Sequence, residues 1–303
     1  MRKLDFSTTL TDSQSYIGEQ ALQYILAAFL QNKTADTPGV NIVQDIKKSA
    51  FIAKLTGTNL VQVGNNCSFS DSGTLVAGEA ELIPKTMFIN TSLCYNELEA
   101  LWNAVDSANA NTQDITADFN NALIGVLTDA MNRSFENAIW NGVSGNGSTE
   151  ILLFDGIDAQ ITTYALTGST FTKSNIVSEV DRLIATLPEA VLEHSDELVI
   201  WMNNKSVLYY KQALMALGIN TPAEAQLTTY DGIQIKTIGR IADNKMYAFI
   251  PSNLAIGVGA MDNFSQLQVL DMRTRTGDND VRMILQGKVD VKLIYEAEAS
   301  SLG

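Results

Sequence analysis

The sequence has 303 residues, enough for one large domain or two of ordinary size. Hydrophobic residues make up 46% and charged residues 18%, which excludes an acidic disordered polymer. The best apolar run, residues 22–30, is about half as long as the ~18 residues that a membrane span needs. No apolar segment follows the basic residues after Met1, so we expect a soluble protein that acts without export.

The charge balance is acidic, with 34 Asp and Glu against 20 Lys and Arg and a formal net charge of −14. Adhesion to nucleic acid needs clustered basic side chains that neutralise phosphates. The adjacent basic pairs are confined to Arg2-Lys3 and Lys47-Lys48. A DNA-binding role is therefore disfavoured, whereas a wall that encloses DNA without adhering to it is allowed.

The sequence offers few candidate catalytic or metal-binding residues. The single histidine, His194, excludes a site with several histidine ligands, and its polar surroundings predict an exposed loop. The glycine-rich run 142–147 follows a helical pattern and predicts a helix end, and Asp278-Asn279-Asp280 predicts a turn between strands. Cys67 and Cys94 are expected to be thiols. We predict no catalytic residue, no cofactor and no metal site.

A helical repeat of apolar residues begins near the N-terminus, after the capping cluster Thr11-Asp12-Ser13. Residues 17–29 carry the repeat, and the helix is expected to stop before Pro38. The pattern leaves open whether its apolar face packs on its own core or on another subunit. The candidate subunit-interface residues of this helix are Ile17, Tyr24 and Phe29.

A long hairpin is predicted next, with strands at residues 58–63 and 79–91 and a turn-rich tip at 64–73. Two strands alone are only marginally stable in water, because they have no second layer against which to bury a face. The sequence therefore favours cover by a neighbouring copy over packing within the chain. The candidate interface residues of this hairpin are Leu60, Val61, Val63, Leu82, Ile83, Met87, Phe88 and Ile89.

The clearest helix is predicted over residues 112–141, where one apolar stripe recurs at i, i+3 and i+4 spacing. At a rise of ~1.5 Å per residue it would be about 45 Å long, and Gly142 would end it. Gly125, inside the helix, either marks the close approach of another element or is incidental. The stripe comprises Ile115, Phe119, Ala122, Leu123, Val126, Leu127, Ala130, Met131, Phe135, Ala138 and Ile139.

The second half of the chain predicts a compact α+β block and then another long hairpin. The block contains helices at 173–187 and 203–217, a buried strand at 198–202 and short strands up to residue 260. The hairpin joins a strand at 266–273 to a return strand at 280–296. The return strand alternates, with an apolar face formed by Val281, Met283, Leu285, Val289, Val291, Leu293 and Tyr295.

The order of these parts resembles that of the major capsid proteins of tailed bacteriophages, which have the Hong Kong 97 phage-type fold. In the first half the resemblance is carried by the arm, the hairpin, the helix ending in Asn137-Ala138-Ile139-Trp140-Asn141-Gly142 and the turn Asp155-Gly156-Ile157. In the second half it is carried by Leu198–Asn203 with its following helix, Asp231–Ile235, Leu254–Gly259 leading to Phe264, and the closing strand 281–299.

The resemblance implies an α+β capsid fold with four parts: an N-terminal arm (1–52), an extended β-hairpin loop (53–97), a peripheral domain with the spine helix (98–160 and 261–303) and an axial domain (161–260). It implies hexamers and pentamers closing into an icosahedral shell around double-stranded DNA, without sequence-specific or membrane binding. The shell would be a virion capsid made in the bacterial host cytoplasm. Scaffold, portal and decoration proteins would be further partners.

Some members of this family cross-link covalently through a lysine of the extended loop. Lys54 and Lys85 flank or lie in the hairpin, but no local pattern identifies the partner residues, so that chemistry is not transferred. Because the arm begins almost at Met1, a scaffold is expected to be a separate protein or a segment already removed. An encapsulin-type nanocompartment shell is the alternative, and a soluble hydrolase with paired acidic residues is a more distant one.

Overall fold

The computed structural model describes residues 15–17, 29–30, 32–61, 73–94, 115–145, 149–216, 228–260, 266–272 and 275–303. Its helices are α1 (Ile115–Asn141), α2 (Ile157–Gln160), α3 (Ile176–Ala185), α4 (Glu189–Leu192) and α5 (Asn204–Ala216). Its strands are β1 (Ser15–Ile17), β2 (Asn41–Ile46), β3 (Ala50–Thr58), β4 (Thr74–Leu82), β5 (Lys85–Cys94), β6 (Ala165–Leu166), β7 (Val199–Met202), β8 (Thr229–Tyr230), β9 (Ile233–Thr237), β10 (Met246–Phe249), β11 (Leu254–Gly259), β12 (Gln266–Asp271), β13 (Asp280–Leu293) and β14 (Ser300–Leu302). The predicted α+β class is confirmed. Across the described ranges, no helix combines the length and apolar character needed to cross a membrane.

One compact unit comprises residues 1–32, 86–135 and 259–288. In it, β12 pairs antiparallel with the first part of β13, so that Leu267 lies opposite Leu285. Strand β1 pairs antiparallel with β12, and β5 pairs with β13. Odd-numbered residues of β13 are buried and most even-numbered ones are more exposed, which confirms the predicted alternation of the return strand.

The structure corrects the start of the predicted N-terminal helix. Residues Ser15–Ile17 form strand β1, so Ile17 is a strand residue, whereas Phe29 is helical as predicted. The physical reason is that β12 offers backbone hydrogen-bonding partners that the local spacing of apolar residues cannot reveal. Most of the remaining predicted helix, including Tyr24, lies outside the described residues.

Helix α1 confirms the predicted spine helix over residues 115–141, and residues 112–114 lie outside the described part. Val126 of the predicted stripe is 64% exposed, whereas Ile124, which lies outside the predicted stripe, is buried, so the buried face differs from the prediction at these positions. Phe135 packs edge to face against Phe29, with 5.3 Å between the ring centroids. The buried stripe positions are Ile124, Leu127, Met131, Phe135, Ala138 and Ile139.

Just after α1 ends, the chain around Gly156 crosses the last turn of the helix at close distance. The Gly142 amide donates to the Ala138 carbonyl, and the Gly156 amide donates to the Gly142 carbonyl at 2.9 Å. A Cβ atom on Gly156 would lie 2.6 Å from the Ala138 oxygen and 2.7 Å from the Ile139 oxygen, closer than real Cβ atoms approach backbone. The turn at Asp155-Gly156-Ile157 can therefore cross the helix end only because residue 156 has no side chain.

The other compact unit comprises residues 33–85, 136–258 and 289–303. Its larger sheet has the strand order β6-β14-β10-β7-β9-β8. Strand β7 is buried along its length and runs parallel to β9, with α5 as the connection between them. Helices α3, α4 and α5 pack on one face of this sheet. The predicted helix–strand–helix succession of this block is confirmed, with small shifts at the element ends.

The opposite face of this sheet carries a buried aromatic cluster that includes the end of α1. Trp201 stacks on Phe249 with 5.4 Å between the ring centroids, and Trp140 lies 5.3 Å from Trp201. The Trp140 Nε1–H group donates to Thr34 Oγ1 at 2.9 Å, so its polar edge is satisfied. This cluster fixes the end of the spine helix on the sheet.

The same unit contains a smaller sheet and a two-stranded ribbon. In the smaller sheet, β2 pairs with β11, and β11 pairs antiparallel with residues 289–293 of β13. The ribbon is formed by β3 and β4, which pair antiparallel from Ala50–Leu82 to Thr58–Thr74. We call this β3–β4 pair the ribbon below.

The ribbon confirms a long hairpin but corrects the predicted strands. The first strand is 50–58 instead of 58–63, and the return strand is 74–82 instead of 79–91. Asn59 has a φ of 54°, which ends β3. Pro84 lacks the N–H group that a ladder needs, and beyond it β5 pairs with β13 instead.

The substitution Gly156→Ala is expected to destabilise the fold, because Gly156 lies against backbone atoms at the end of α1. Because the new methyl group meets backbone atoms that cannot move away, we expect a loss of about 1–3 kcal/mol in the free energy of unfolding. Urea titration of the unassembled chain, followed by tryptophan fluorescence, measures this loss.

Gly125→Ala is the matched control, because none of the described atoms lies within 4 Å of the Cβ position. Alanine is the better helix former by about 1 kcal/mol, so this variant is expected to be stabilised. Equal effects of the two substitutions would contradict the steric role of Gly156.

Candidate intersubunit surface

The ribbon is anchored to its unit at the end that contains Ala80, Leu82 and Ile83. We call this end the root. Leu82 and Ala80 lie on the inner face of β4 and are completely buried. They pack with Ile46 and Ala255 in one apolar cluster. Gly257 on β11 makes room for this packing, since a Cβ there would lie 2.9 Å from Ile46 Cδ1 and 3.5 Å from Leu82. The inner face of the root is therefore covered by its own chain.

Polar contacts hold the backbone at the same place. The Ile83 amide donates to Asp290 Oδ2 at 2.6 Å, and the Val291 amide donates to Asp290 Oδ1 at 2.9 Å. Burial raises the pKa of Asp290, although these two amides and nearby lysines act in the opposite direction. The Leu55 amide donates to the Tyr295 hydroxyl at 3.4 Å.

Beyond the root, the ribbon exposes apolar side chains on both faces. Phe51 and Leu55 alternate along the outer face of β3 and are 60% and 61% exposed, and Leu75 on the paired strand is 58% exposed. Val76, on the other face, is also exposed, and Val61 beyond the end of β3 is 95% exposed. Burying one such side chain is worth about 1.5–3 kcal/mol, so these residues favour association with another surface.

The outer face gathers its apolar residues at one place. Gly57 pairs with Leu75, and a Cβ on Gly57 would lie 2.5 Å from Leu60 Cδ1 and 3.5 Å from Leu75 Cδ1. Leu60 therefore folds back over the bare backbone of Gly57 beside Leu75. Because Leu55 points to the same face, these leucines form a continuous patch. We call Leu55, Leu60 and Leu75 the leucine patch.

Two carboxylates border the leucine patch toward the root. Glu79 pairs with Ala53 and Glu81 pairs with Phe51, which places both glutamates on the outer face. Both are exposed. Lys54 lies on the other face, where its side chain runs along Gly78. The outer face is thus apolar with an acidic border, and a partner that fits it would be apolar with basic groups at the matching border.

The predicted interface residues fall into three groups. Leu60, Val61, Ile83 and Phe88 are exposed, and Ile89 is half-buried. Leu82, Met87 and Phe29 are buried in their own chain. The side chain of Ile17 and the positions of Tyr24 and Val63 lie outside what the structure describes.

Three of these predictions need correction. The sequence suggested that Leu82 needs cover from a neighbour, but Ile46 and Ala255 cover it within the chain. Met87 lies on the opposite side of β5 from exposed Phe88, and Phe29 packs on Phe135. For Leu82 and Phe29 the cover comes from residues distant in sequence, which periodicity alone cannot reveal.

Sequence reasoning also missed exposed ribbon residues, namely Phe51, Leu55, Leu75 and Val76. A signal was present, because Phe51, Ala53 and Leu55 alternate with other residues in the way a strand with one apolar face does. The sequence indicates only a short extended segment at Phe51-Ile52, and the pairing with β4 extends it to Ala50–Thr58.

The other candidate residues have structural surroundings. His194 is exposed, with Nδ1 3.1 Å from the Ala190 carbonyl oxygen. Arg282 forms ion pairs with Asp278 and Asp280, which confirms the predicted turn between strands. Cys94 is an exposed thiol, whereas Cys67 is outside the described residues. Among the residues described, no three His, Cys, Asp or Glu side chains are grouped so that they could hold a metal.

A groove of about 340 Å³ beside the ribbon root contains acidic residues, two of which, Asp155 and Asp290, accept hydrogen bonds from backbone amides. Asp155 accepts the Ser144 amide at 2.7 Å, and this hydrogen bond lowers the pKa of Asp155. Asp290 accepts two amides, as described above. These carboxylates are therefore engaged in holding loops and strands, which gives the hydrolase alternative no support.

No protein-family model matches the sequence, and no curated protein matches it either. Solved structures do match. A chain of the Satellite phage P4 procapsid, a structure including the size determination (Sid) protein, is 12% identical with a TM-score of 0.64, covering 93% of this chain and 90% of that one. The capsid of the native GTA particle is 14% identical with a TM-score of 0.57, covering 91% and 89%.

The capsid of Myoviridae phage XM1 gives a similar result, with 13% identity, a TM-score of 0.55 and coverage of 87% of this chain and 89% of that chain. Identities this low establish the fold and nothing finer. Since the matches extend over almost the whole chain, the resemblance predicted from the sequence is confirmed at the level of the fold. The chain has the fold found in phage capsid structures.

Proposed function

We propose that this protein is the major capsid protein of a tailed phage, a structural protein that assembles into the hexamers and pentamers of an icosahedral shell. The proposal rests mainly on one observation about the ribbon. Its leucine patch is exposed, although its root is packed against its own unit. The structures that share the fold come from capsids and a procapsid, which supports the same function.

The physical argument starts from the ribbon itself. Two strands have no second layer, so the exposed leucines gain stability only when another molecule covers them. A second copy of the chain is the partner that is always present during assembly. If the ribbon docks on a different surface of the next copy, the contact is heterologous, and a heterologous contact generates a ring when its rotation closes. Hexamers and pentamers are such rings.

The net negative charge of the chain opposes this association at long range. Two copies with a net charge of −14 each repel one another at long range. This repulsion is screened over about 8 Å at physiological salt, so short-range burial of apolar surface can outweigh it. A protein with this net charge also avoids adhesion to packed double-stranded DNA. We therefore propose enclosure of the genome without sequence-specific binding.

The predicted domain organisation becomes part of this proposal. Residues 1–52 would act as the arm, 53–97 as the extended loop, 98–160 and 261–303 as the peripheral domain, and 161–260 as the axial domain. Scaffold, portal and decoration proteins would be separate partners in the virion. The phage and GTA capsids among the similar structures favour a genome-enclosing shell over an encapsulin-type compartment.

Leu55→Asp combined with Leu75→Asp is expected to abolish shell formation while leaving the subunit folded. Each loss of a buried leucine weakens a contact by about 1.5–3 kcal/mol, which is roughly tenfold to a hundredfold in its equilibrium constant. Exposed positions change the free energy of unfolding by only about 0.5 kcal/mol. Negative-stain microscopy and sedimentation measure assembly, and urea titration measures folding.

The matched control replaces the same two residues by methionine, which keeps the volume and apolar character. This variant is expected to assemble like the wild type. Wild-type particle yields from the aspartate variant would show that the leucine patch is not an assembly contact.

Shortening the ribbon tests the same surface without adding charge. Replacing residues 57–75 by Asn-Gly joins Thr56 to Val76, which are already paired, through a two-residue hairpin turn. The root, with Leu82 and Asp290, stays intact. We expect a folded subunit with near wild-type circular dichroism that forms no shells. Normal particles from this variant would refute the proposed role of the ribbon.

A further inference from the structure

Helix α5 leaves an apolar surface uncovered in the same compact unit that carries the ribbon. Its inner side packs on the larger sheet through Val207, Tyr210 and Ala213. On its outer side, Leu208 is 52% exposed and Met215 is 60% exposed. These two side chains lie seven residues, or two helical turns, apart, so they share one face at a separation of about 10 Å. The outer face of α5 is therefore a second candidate contact surface.

Two lysines lie in the same row as these apolar side chains. Lys211 follows Leu208 by three positions and precedes Met215 by four, the spacings at which helical side chains are neighbours. Lys205 precedes Leu208 by three positions. Among the five helices described, α5 alone combines basic residues with a complete lack of Asp and Glu. We call Lys205, Leu208, Lys211 and Met215 the α5 stripe, which is apolar and basic in a chain of net charge −14.

The stability of α5 gives no reason for a lysine at its start. Lys205 lies in the first turn, where the dipole of a helix disfavours a positive charge. Asn203 already caps this end, because its Oδ1 accepts the Ser206 amide at 2.7 Å. Lys205 pairs with Asp243 at 3.0 Å, but both side chains are more than half exposed, and such pairs contribute little. Lys205 can therefore exchange this contact for one with a partner molecule.

The outer face of the ribbon carries the opposite charge next to similar apolar groups. Leu55 pairs with Ala77, so Leu75 and Glu79 are both its diagonal neighbours, with side chains about 7 Å apart. On α5, each apolar side chain lies about 5–6 Å from a lysine in the adjacent turn, measured between Cβ atoms. Both surfaces therefore place a charge close to an exposed apolar group, and the two charges are of opposite sign.

Two other exposed apolar sites have carboxylates beside them. Val126 precedes Asp129 by one turn of α1. Val143, whose amide donates to the Ile151 carbonyl at 2.7 Å, lies beside a segment that includes Glu150. Because carboxylates also border the leucine patch, these two sites would repel it. The α5 stripe is the surface that complements the patch in both charge and apolar character.

We propose that the leucine patch of one copy docks on the α5 stripe of a second copy, with Glu79 and Glu81 facing Lys205 and Lys211. The apolar residues of both surfaces are exposed in the same chain, so neither surface covers the other, and a second copy has to bring them together. Each copy then contributes its ribbon to one neighbour and receives a ribbon from another, which is a heterologous contact. This inference rests on the proposed function, because it names the surface on which the ribbon binds.

Zero-length cross-linking of the full-length chain tests this contact. A carbodiimide joins a carboxylate to an amine without a spacer, so it reports only groups in direct contact. Unlabelled and isotope-labelled chains are mixed before association, and cross-linked peptides with mixed labels identify contacts between copies. We expect such peptides to join Glu79 or Glu81 to Lys205 or Lys211. Associated chains whose two glutamates react with other lysines, or with none, would overturn the proposal.

An exchange of charges supplies a second arm. Glu79→Lys and Lys211→Glu are each expected to lower the yield of associated chains about tenfold, because each places like charges face to face. The double variant restores opposite charges and is expected to recover most of the yield. Glu79→Lys reduces the net negative charge of the chain, so general repulsion between copies cannot explain a loss in this variant. Sedimentation measures association, and urea titration verifies that each variant is folded.

Lys236→Glu is the control for Lys211→Glu. Lys236 is half-buried like Lys211 but lies on β9, outside the α5 stripe. The control carries the same change in net charge and is expected to associate like the wild type. A double variant that does not recover, or a control that loses as much as Lys211→Glu, would contradict the proposed contact.

The outcomes for this contact and for the proposed function are separate. Wild-type shells without the expected cross-links would refute the α5 contact and leave the capsid function standing. Small oligomers that carry these cross-links but never form shells would support the contact and refute the capsid function. Chains that remain monomeric under all conditions would refute both.

Discussion

A ribbon of two strands can bury one face against its own domain, but it has nothing within itself to cover the other. In this protein the constraint is met at the root, where Leu82 and Ala80 enter an apolar cluster and Asp290 holds the Ile83 amide. Farther out the same alternation leaves Leu55 and Leu75 in water. Association with another molecule is the physical solution to that exposure, and the proposed shell follows from it.

The unit that contains the root is itself closely packed. The larger sheet is covered by helices on one face and by the Trp140 and Trp201 cluster on the other, so the strands have little freedom. The Gly142 and Gly156 crossing fixes the chain at the end of the spine helix. A contact surface on a ribbon is useful only when its base does not move independently, because otherwise ordering it would cost conformational entropy on binding.

The acidic composition places a second constraint on the molecule. Copies of such a chain repel each other unless apolar burial and local complementarity of charge outweigh the net charge. The leucine patch supplies the exposed apolar surface, and Glu79 and Glu81 at its border supply charges that a basic partner surface would complement. Under the proposed function, this combination would let an acidic chain self-associate without adhering to phosphate.

The elements with a local signal follow from the sequence alone. The spine helix has an apolar stripe and stops before Gly142, the return strand β13 alternates as its residues do, and Val199–Met202 is a short continuous apolar run typical of a buried strand. The order of these elements was enough to identify the fold. Which apolar residues are covered depends instead on tertiary packing. Leu82, Met87 and Phe29 are buried while Leu55 and Leu75 are exposed, because strand register and distant partners such as Ile46 and Phe135 assign each side chain to an inner or an outer face, and neither is encoded in the spacing of neighbouring residues.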